Sequence, residues 1–497
     1  MNTIGISAGY HDAGLAVVSP NGEILFAGHS ERYSRIKNDS TLNNGIVNEV
    51  DWSNVKQIAY YERPWMHNIQ QLRSGEYNFQ PWTTRGVLKK HLAPYLPNQK
   101  LPKVPLHSFP HHLSHAALAF QTSPFQDAIA VVVDAIGELD TITIWKCDYN
   151  ILGEAIYRPL WRQRYPHSIG LFYSAMTKRV GLKPNEDEYI LMGMSAYGNP
   201  RVANQMRHDF LLDEKELEWR WNFHAGAPQD YLADIANDED IAAATQALTE
   251  SLIAHLFSFA KTLDSSRNLV YSGGVALNCH ANRLIGIGRW DNIWIPPNPG
   301  DAGSALGAAS LAFKHQLKWK NTYLGHNINQ PYPVNNLLDE LLTTGIVGVA
   351  NGRAEWGPRA LGHRSLLADP RNAEIKYKVN EIKQRQQFRP FAPMILEEQV
   401  DEYFHMPMPW TISRYMQVTA LCKFPREFPA IIHHDGTSRV QTVPDDGSPV
   451  RELLEKWFLL TGCPMLLNTS LNIKGEPMVN DWNDAQRFAN KYGVKVF

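Results

Sequence analysis

One short pattern is written twice into the first third of the chain, and it restricts the fold more than any other feature. TIGISAGYHDAG passes through a glycine turn to LAVVSP and, beyond Pro20-Asn-Gly22, to EILFAGHSE. DAIAVVVDAIGELD passes to TITIWKCD and, beyond Tyr149-Asn150, to ILGEAIYR. Apolar, β-branched runs bounded by Gly, Asn and Asp are strands joined by tight turns. Two such β-turn-β-β units, each with an acidic residue and a glycine after its first strand, imply a duplicated α/β fold with two loops facing a nucleotide. Leu248, Leu252, Leu256 and Phe259 recur at helical spacing and are assigned to the core, on a helix that feeds the strand NLVYSGG. At 497 residues the chain exceeds one ordinary core. Its pattern loosens over 315–340 around Pro331-Tyr-Pro333, which places the domain boundary near 335 and separates residues 1–335 from 336–497.

A metal site is spread over three segments. Pro110-His-His-Leu-Ser-His-Ala116 sits upstream of two isolated acidic residues in glycine-rich settings, Asp134 in VVVDAIGE and Asp301 in NPGDAGSALGAA. On a helix His111 and His115 are four apart and share a face, so two imidazoles converge on one ion while carboxylates complete the shell. An HxxxH pair by itself is more often a packing coincidence; the flanking acids set this one apart. Mixed nitrogen and oxygen ligands with open positions suit Fe(II), Zn(II) or Mn(II). His112 lies off that face and is read as a residue supporting the ligands from behind or as structural.

A formal net charge of −2 gives no global drive toward nucleic acid or an anionic membrane, so an anionic substrate must be held by local clusters. After residue 335 arginines gather at 353, 359, 364, 371, 385, 389 and 439 among turns, prolines and apolar residues. Guanidinium forks match phosphate oxygens, and this density reads as a phosphate-handling surface; the bland alternative is a salt-bridged solvent face. Cys147, Cys279, Cys422 and Cys463 lie far apart with no CxxC and are read as core thiols in a reducing compartment. No apolar run is long enough to span a membrane, and the first residues lack a signal-peptide pattern, so a cytoplasmic protein is expected.

Taken together the motifs resemble the O-carbamoyltransferase family typified by nodulation-factor, cephalosporin and tobramycin carbamoyltransferases. The similarity runs in order through GYHDAG, HHLSHA, VVVDAIGE, SGGVALN, NPGDAGSALGAA, GRAEWGPRALGHRSLLADPR, FRPFAP, HHDGTSRVQTV and NTSLNIKGEPMV. The resemblance implies an actin-like domain, similar to the universal tRNA threonylcarbamoyl-transfer protein, followed by an α+β domain similar to threonylcarbamoyl-adenylate synthase. It also implies a reaction in which ATP, with Mg, and carbamoyl phosphate give carbamoyl adenylate, and the carbamoyl group then passes to an alcohol. An acceptor hydroxyl must lose its proton as it attacks, so a general base is required; His11 matches the family's base, with Asp12 orienting it or binding the acceptor. The Lys383-x-Arg385 and Ser470-x-Asn472 pairs match the set that grips nucleotide and acyl phosphate. Ser470 and Asn472 could equally bond a turn's own backbone. Arg353, Arg389 and Arg439 are further phosphate candidates, and the resemblance favours iron in the metal site.

Gly273, Gly274 and Asn278 are expected against adenosine, and Gly137 with Glu138 in a second phosphate loop, Glu138 meeting the metal through water. Ile190, Ser195-Ala196, Gln386 and Leu471 depart from the family's pattern and bear on acceptor and nucleotide fit. Two rivals stand beside this reading: a noncatalytic actin-like ATP-binding module, and a tRNA threonylcarbamoyl-transfer enzyme. The second-domain motifs argue against both, and the lack of basicity against the latter. The acceptor is open between a small hydroxylated metabolite and a hydroxymethylpyrimidine in DNA or a nucleotide. Residues 62–103 hold seven basic and two acidic side chains with Trp65, Tyr77, Phe79 and Trp82 among them, a mixture that grips a nucleic-acid strand, stacks on a sugar, or forms a solvated helical insertion. A homodimer is also open.

Overall fold

A computed structural model describes residues 1–75, 77 and 79–497, and it divides into two compact units. The first unit comprises Met1–Ser34, Asn38–Asn278 and Ile287–Asn321. Its first sheet has the strands β1 (Asn2–Ser7), β2 (Gly14–Val18), β3 (Ile24–His29), β4 (Val55–Tyr60) and β5 (Leu106–Ser108) in the order β3-β2-β1-β4-β5. Its second sheet uses β6 (Asp127–Gly137), β7 (Asp140–Tyr149) and β8 (Ala155–Arg164), then, past a hairpin of β9 (Leu211–Asp213) and β10 (Glu218–Trp219), β11 (Asn268–Ser272) and β12 (Asn292–Trp294). The order is β12-β11-β6-β7-β8. Both sheets follow one plan: the first three strands form an antiparallel meander, and the fourth and fifth add in parallel on the other side of the first. Strands β1 and β2 are buried along their whole length, as near-continuous apolar runs covered on both faces should be.

Two helices matter for what the sheets position. Helix His111–Thr122 follows β5 and is buried at all but one residue. Helix Ser304–Phe313 lies flush against both it and β1: a Cβ at Gly307 would fall 1.9 Å from the Ser114 carbonyl oxygen, and one at Gly5 would fall 1.8 Å from that of Ala305. Helix Asp238–Leu263 starts on an Asn237 side-chain cap with three acidic residues in its first turn, where the helix dipole favours them. Leu248, Leu252 and Leu256 are buried on it as expected, but Phe259 is not. The stripe continues through Phe257 and Ala260 instead, and Phe259 falls beside it, edge-on to Trp161.

The second unit comprises Thr322–Phe497 with Arg35–Lys37 and Cys279–Gly286. The compact units divide at Asn321/Thr322, and the segment that read as a loose connector holds β13 (Tyr323–Ile328), which pairs with β15 (Gly352–Glu355) past β14 (Ile346–Ala350). The main sheet runs β14-β16-β22-β17-β21, built from β14 with β16 (Arg364–Ala368), β17 (Ala392–Leu396), β21 (Gln441–Val443) and β22 (Met465–Ser470); β18 (Phe404–His405), β19 (Thr419–Cys422) and β20 (Thr437–Arg439) form a smaller sheet. Successive residues of the main sheet alternate between two cores. Val347, Val349, Leu367, Met394 and Leu466 face one, with helices Val334–Thr344 and Pro449–Thr461; Ile346, Leu366, Ile395, Met465 and Leu467 face the other, with helices Ala373–Ile382 and Trp482–Tyr492.

Two of the seven arginines leave the proposed phosphate surface. Arg364 is fully buried and donates to five backbone carbonyls, those of His326, Asn351, Gly352, His363 and Asn480. Arg371 is forked onto Asp369 and lies 5.5 Å over the Trp457 ring. The four cysteines are buried free thiols. Among the described residues no helix is long and apolar enough to cross a membrane.

Gly307→Ala should prise helix Ser304–Phe313 away from helix His111–Thr122 and destabilise the first unit by about 1–3 kcal/mol. Thermal denaturation checks this, and an unchanged midpoint contradicts it. Arg364→Ala leaves several buried carbonyls without a donor and should cost about 3 kcal/mol or more in urea denaturation, whereas a substrate-binding arginine would leave stability nearly unchanged.

Candidate active site

The His111/His115 face of helix His111–Thr122 meets two acids carried by other elements. Asp134 sits where the β6–β7 ladder breaks, its register shifting between Val133 and Gly137, and a break of this kind re-aims a side chain. Asp301 begins the single 3₁₀ turn that leads into helix Ser304–Phe313. The Nε2 atoms of His111 and His115 are 3.1 Å apart. His115 Nε2 lies 3.2 Å from Asp134 Oδ2 and from Asp301 Oδ1, and His111 Nε2 lies 3.4 Å from each. All four donor atoms fall within 4.8 Å of one another. An ion about 2 Å from each donor in a tetrahedral arrangement separates them by about 3.3 Å, so the cluster fits a small divalent cation. Burial disfavours charge on both imidazoles, yet the surrounding carboxylates outweigh it and pull their pKa values upward. Burial likewise opposes ionisation of the two acids, but the imidazoles prevail and hold Asp301 down at about 2. His112 turns to Thr143 Oγ1 at 3.0 Å and stays outside the cluster.

The loop after β1 carries His11 and Asp12, with Gly9 and Asp12 in the left-handed region. His11 Nδ1 lies 2.9 Å from Asp12 Oδ2, its Nε2 lies 3.2 Å from the Asn185 carbonyl oxygen, and the ring is 39 % exposed. Burial works against charge on this ring, but the hydrogen bond and charge of Asp12, helped by Asp301, push its pKa up to about 9.

The glycines are held to their places by packing. At Gly273, φ is +94° and a Cβ would meet the Val133 carbonyl oxygen at 2.2 Å, while the Gly274 N–H donates to Asp134 Oδ1 at 3.4 Å. A Cβ at Gly137 would strike the rings of His111 and His112 at 2.4 and 2.5 Å, so the bare backbone there makes room for the histidines. Asn278 exchanges reciprocal amide hydrogen bonds with Gln246, which also accepts from the Tyr173 hydroxyl. Glu138 does not turn to the cluster: it is forked onto the guanidinium and backbone N–H of Arg63.

In the second unit Lys383 is buried, and its Nζ reaches four neutral oxygens, the carbonyls of Ser470 and Asn472, Ser470 Oγ and Asn472 Oδ1. Burial drives its pKa well down, and Arg385 and Arg389 nearby push the same way. Arg385 donates to Asn380 Oδ1 at 2.6 Å and lies 4.3 Å over the Phe391 ring. Asn472 donates to the Glu476 carbonyl of its own turn, as the turn-bonding reading of the Ser-x-Asn pair expects, and both residues also accept from Lys383. Arg439 Nε is buried without a hydrogen-bond partner among the described residues. Arg353 donates to the carbonyls of Leu324 and Gly325.

Glu62, Gln246 and Tyr173 are side chains the motifs did not single out. Glu62 is buried with its Oε2 3.3 Å from His111 Nδ1, and burial pushes its pKa up to about 7. It lies at the head of the 62–103 segment, which folds in part as helices Pro64–Ser74 and Thr84–His91. There Trp65, Tyr77, Phe79 and Trp82 are exposed, with ring centres 6.3 Å apart from Tyr77 to Phe79 and again to Trp82. Gln80 turns inward, accepting from Lys90 and donating to the Gly9 carbonyl, two residues from His11. Glu76, one of the two acids counted in this stretch, lies outside the described residues.

Comparison with known proteins covers both units. The Carbamoyltransferase N-terminus family matches residues 75–310, and the Carbamoyltransferase C-terminus family matches residues 338–497. An uncharacterized protein of Synechocystis sp. is 33 % identical over 97 % of this chain and 93 % of its own length. Nodulation protein NolNO of Sinorhizobium fredii is 29 % identical over 96 % of this chain and 76 % of its own, and nodulation protein NolO of Bradyrhizobium diazoefficiens is 30 % identical over 76 % and 75 %. Among solved structures, the activator of the 2-hydroxyisocaproyl-CoA dehydratase from Clostridium difficile with bound ADPNP aligns with 63 % of this chain and 94 % of its own at 16 % identity and a TM-score of 0.36. With matched domains in both units and relatives aligned along nearly its whole length, the chain belongs to the carbamoyltransferase family and is a transferase enzyme.

Proposed function

We propose that the chain is an ATP-dependent O-carbamoyltransferase whose second unit makes carbamoyl adenylate from ATP and carbamoyl phosphate and whose first unit passes the carbamoyl group to an acceptor hydroxyl. The observation that carries this reading is a chemical contrast: imidazoles and carboxylates cluster in the first unit, cations in the second. Adenylation sets an anionic acyl phosphate against a triphosphate, and fixed cations that are already desolvated offset that repulsion without reorganising. Lys383, Arg385, Arg389 and Arg439 serve this need, with Ser470 and Asn472 aiming Lys383. Gly273, Gly274 and Asn278 border the adenosine of the adenylate in the first unit.

His111, His115, Asp134 and Asp301 hold a divalent ion that supplies Lewis-acid stabilisation to an anionic oxygen; Fe(II), Zn(II) and Mn(II) all suit the donors, and the family resemblance favours iron. Asp12 holds His11 by Nδ1, leaving Nε2 to meet the acceptor once it parts from the Asn185 carbonyl. A small hydroxylated metabolite is the acceptor we favour. The exposed row of Tyr77, Phe79 and Trp82 supports a ring-bearing one, and a hydroxymethylpyrimidine is the second reading. Parallel incubation with an aminoglycoside, hydroxymethylcytosine nucleotide and hydroxymethylcytosine DNA, each weighed for carbamate, decides between them.

The two half-reactions should separate by mutation. Lys383→Ala should lose adenylate formation by at least about 100-fold yet use supplied adenylate, whereas His11→Ala should make adenylate and fail in transfer by a similar factor. His115→Ala should purify with little metal and share the transfer defect. Full metal occupancy in that variant contradicts the ligand assignment.

The raised pKa of His11 means that only about one ring in a hundred is neutral at pH 7, and a base must be neutral to accept a proton. Transfer measured as kcat/KM should therefore climb with pH toward a midpoint near 9. Asp12→Asn removes the main charge raising that value and should move the midpoint down; a profile flat across this range, or unmoved in the variant, excludes His11 as the base.

A further inference from the structure

We propose that Glu62 is the positioning residue of the metal centre, fixing through His111 Nδ1 which nitrogen of that ligand faces the ion. The proposal rests on reading His111, His115, Asp134 and Asp301 as metal ligands, and it adds a residue that the motifs do not contain. Glu62 stands just beyond β4, and the chain on either side of it is pinned. The Tyr61 carbonyl accepts from Ser114 Oγ at 2.7 Å, on the histidine-bearing helix, and the Tyr61 N–H donates to the Ile6 carbonyl. The Arg63 N–H donates at 2.8 Å to Glu138, four residues beyond Asp134, and its guanidinium forks onto the same carboxylate. The Glu62 backbone is therefore tied to two of the segments that carry the cluster, and its buried side chain has little freedom to swing.

From that position Oε2 lies 3.3 Å from His111 Nδ1, while the opposite nitrogen, Nε2, faces the other cluster members. In its ionised form the Glu62 carboxylate on Nδ1 requires a proton there, so Nε2 is left as the lone-pair donor, and the negative charge strengthens that donor. The two imidazoles are unequal in this respect, because His115 Nδ1 rests on a neutral partner, the Pro299 carbonyl, at 3.0 Å. The other Glu62 oxygen lies 3.5 Å from His67 Nδ1 and makes no well-formed hydrogen bond among the described residues, with the Tyr10 hydroxyl also near this carboxylate. A merely architectural role would use that contact to hold helix Pro64–Ser74, and the experiment must tell the two apart.

The full chain, stripped of metal and titrated with Zn(II) against a chromophoric chelator, supplies the readout without any turnover. Glu62→Gln keeps the volume but loses the charge, and Glu62→Asp keeps the charge but shortens the reach; both should weaken Zn(II) binding by about 10–100-fold while the metal-free melting temperature stays near that of the parent. His67→Ala should leave the affinity within about two-fold. Affinity unchanged in both Glu62 variants, or an equal loss in His67→Ala, overturns the proposal. A parent chain that binds neither Zn(II) nor Mn(II) instead removes the ligand assignment on which it rests.

Discussion

The first unit depends on how closely one helix can approach its neighbours. Helix Ser304–Phe313 has backbone where a side chain would ordinarily keep its distance, facing Ser114 at Gly307, and β1 answers with Gly5 against Ala305. That approach sets the position of the turn just before the helix, and Asp301 lies in that turn. The carboxylate reaches His115 because of a missing Cβ two turns later. Small residues here are geometric spacers, and the chemistry downstream inherits their tolerance of well under an ångström.

The two units solve the problem of concentrated charge in opposite ways. In the first, imidazoles and carboxylates neutralise one another, so the cluster is stable as it stands and a cation entering it must displace protons. In the second, Lys383 is surrounded by neutral oxygens and by arginines of its own sign, a costly arrangement that an anion would relieve. The first arrangement suits a cation and the second an anion, as the proposed adenylation and carbamoyl transfer would require.

Local patterns were readable, and partnerships across long loops were not. Strand periodicity gave the repeated meanders, and the spacing of His111 and His115 put them on one face, because both depend on neighbours a few residues away. Glu62 was invisible: its partner is distant in sequence, and nothing in YYERPW distinguishes a carboxylate aimed at an imidazole from one facing water. Arg364 and Arg385 looked alike for a similar reason, since backbone carbonyl acceptors leave no trace in residue identity. The loosely patterned stretch before 335 hid a strand, because its partner comes later in the chain. Phe259 was misplaced by one position of drift along a long helix.

The alternation of two cores along the main sheet of the second unit has a consequence for alignment. Where both faces are apolar, sliding a strand by one residue exchanges one greasy surface for another, so hydrophobicity cannot choose the register. A polar peg must do so. Asn468, buried in β22, donates from its amide to the Ala360 carbonyl and to Gln441 Oε1, contacts that a slipped strand would lose. Ser470 is two residues further along the same strand, so the peg that indexes the sheet also sets the height at which that hydroxyl meets Lys383.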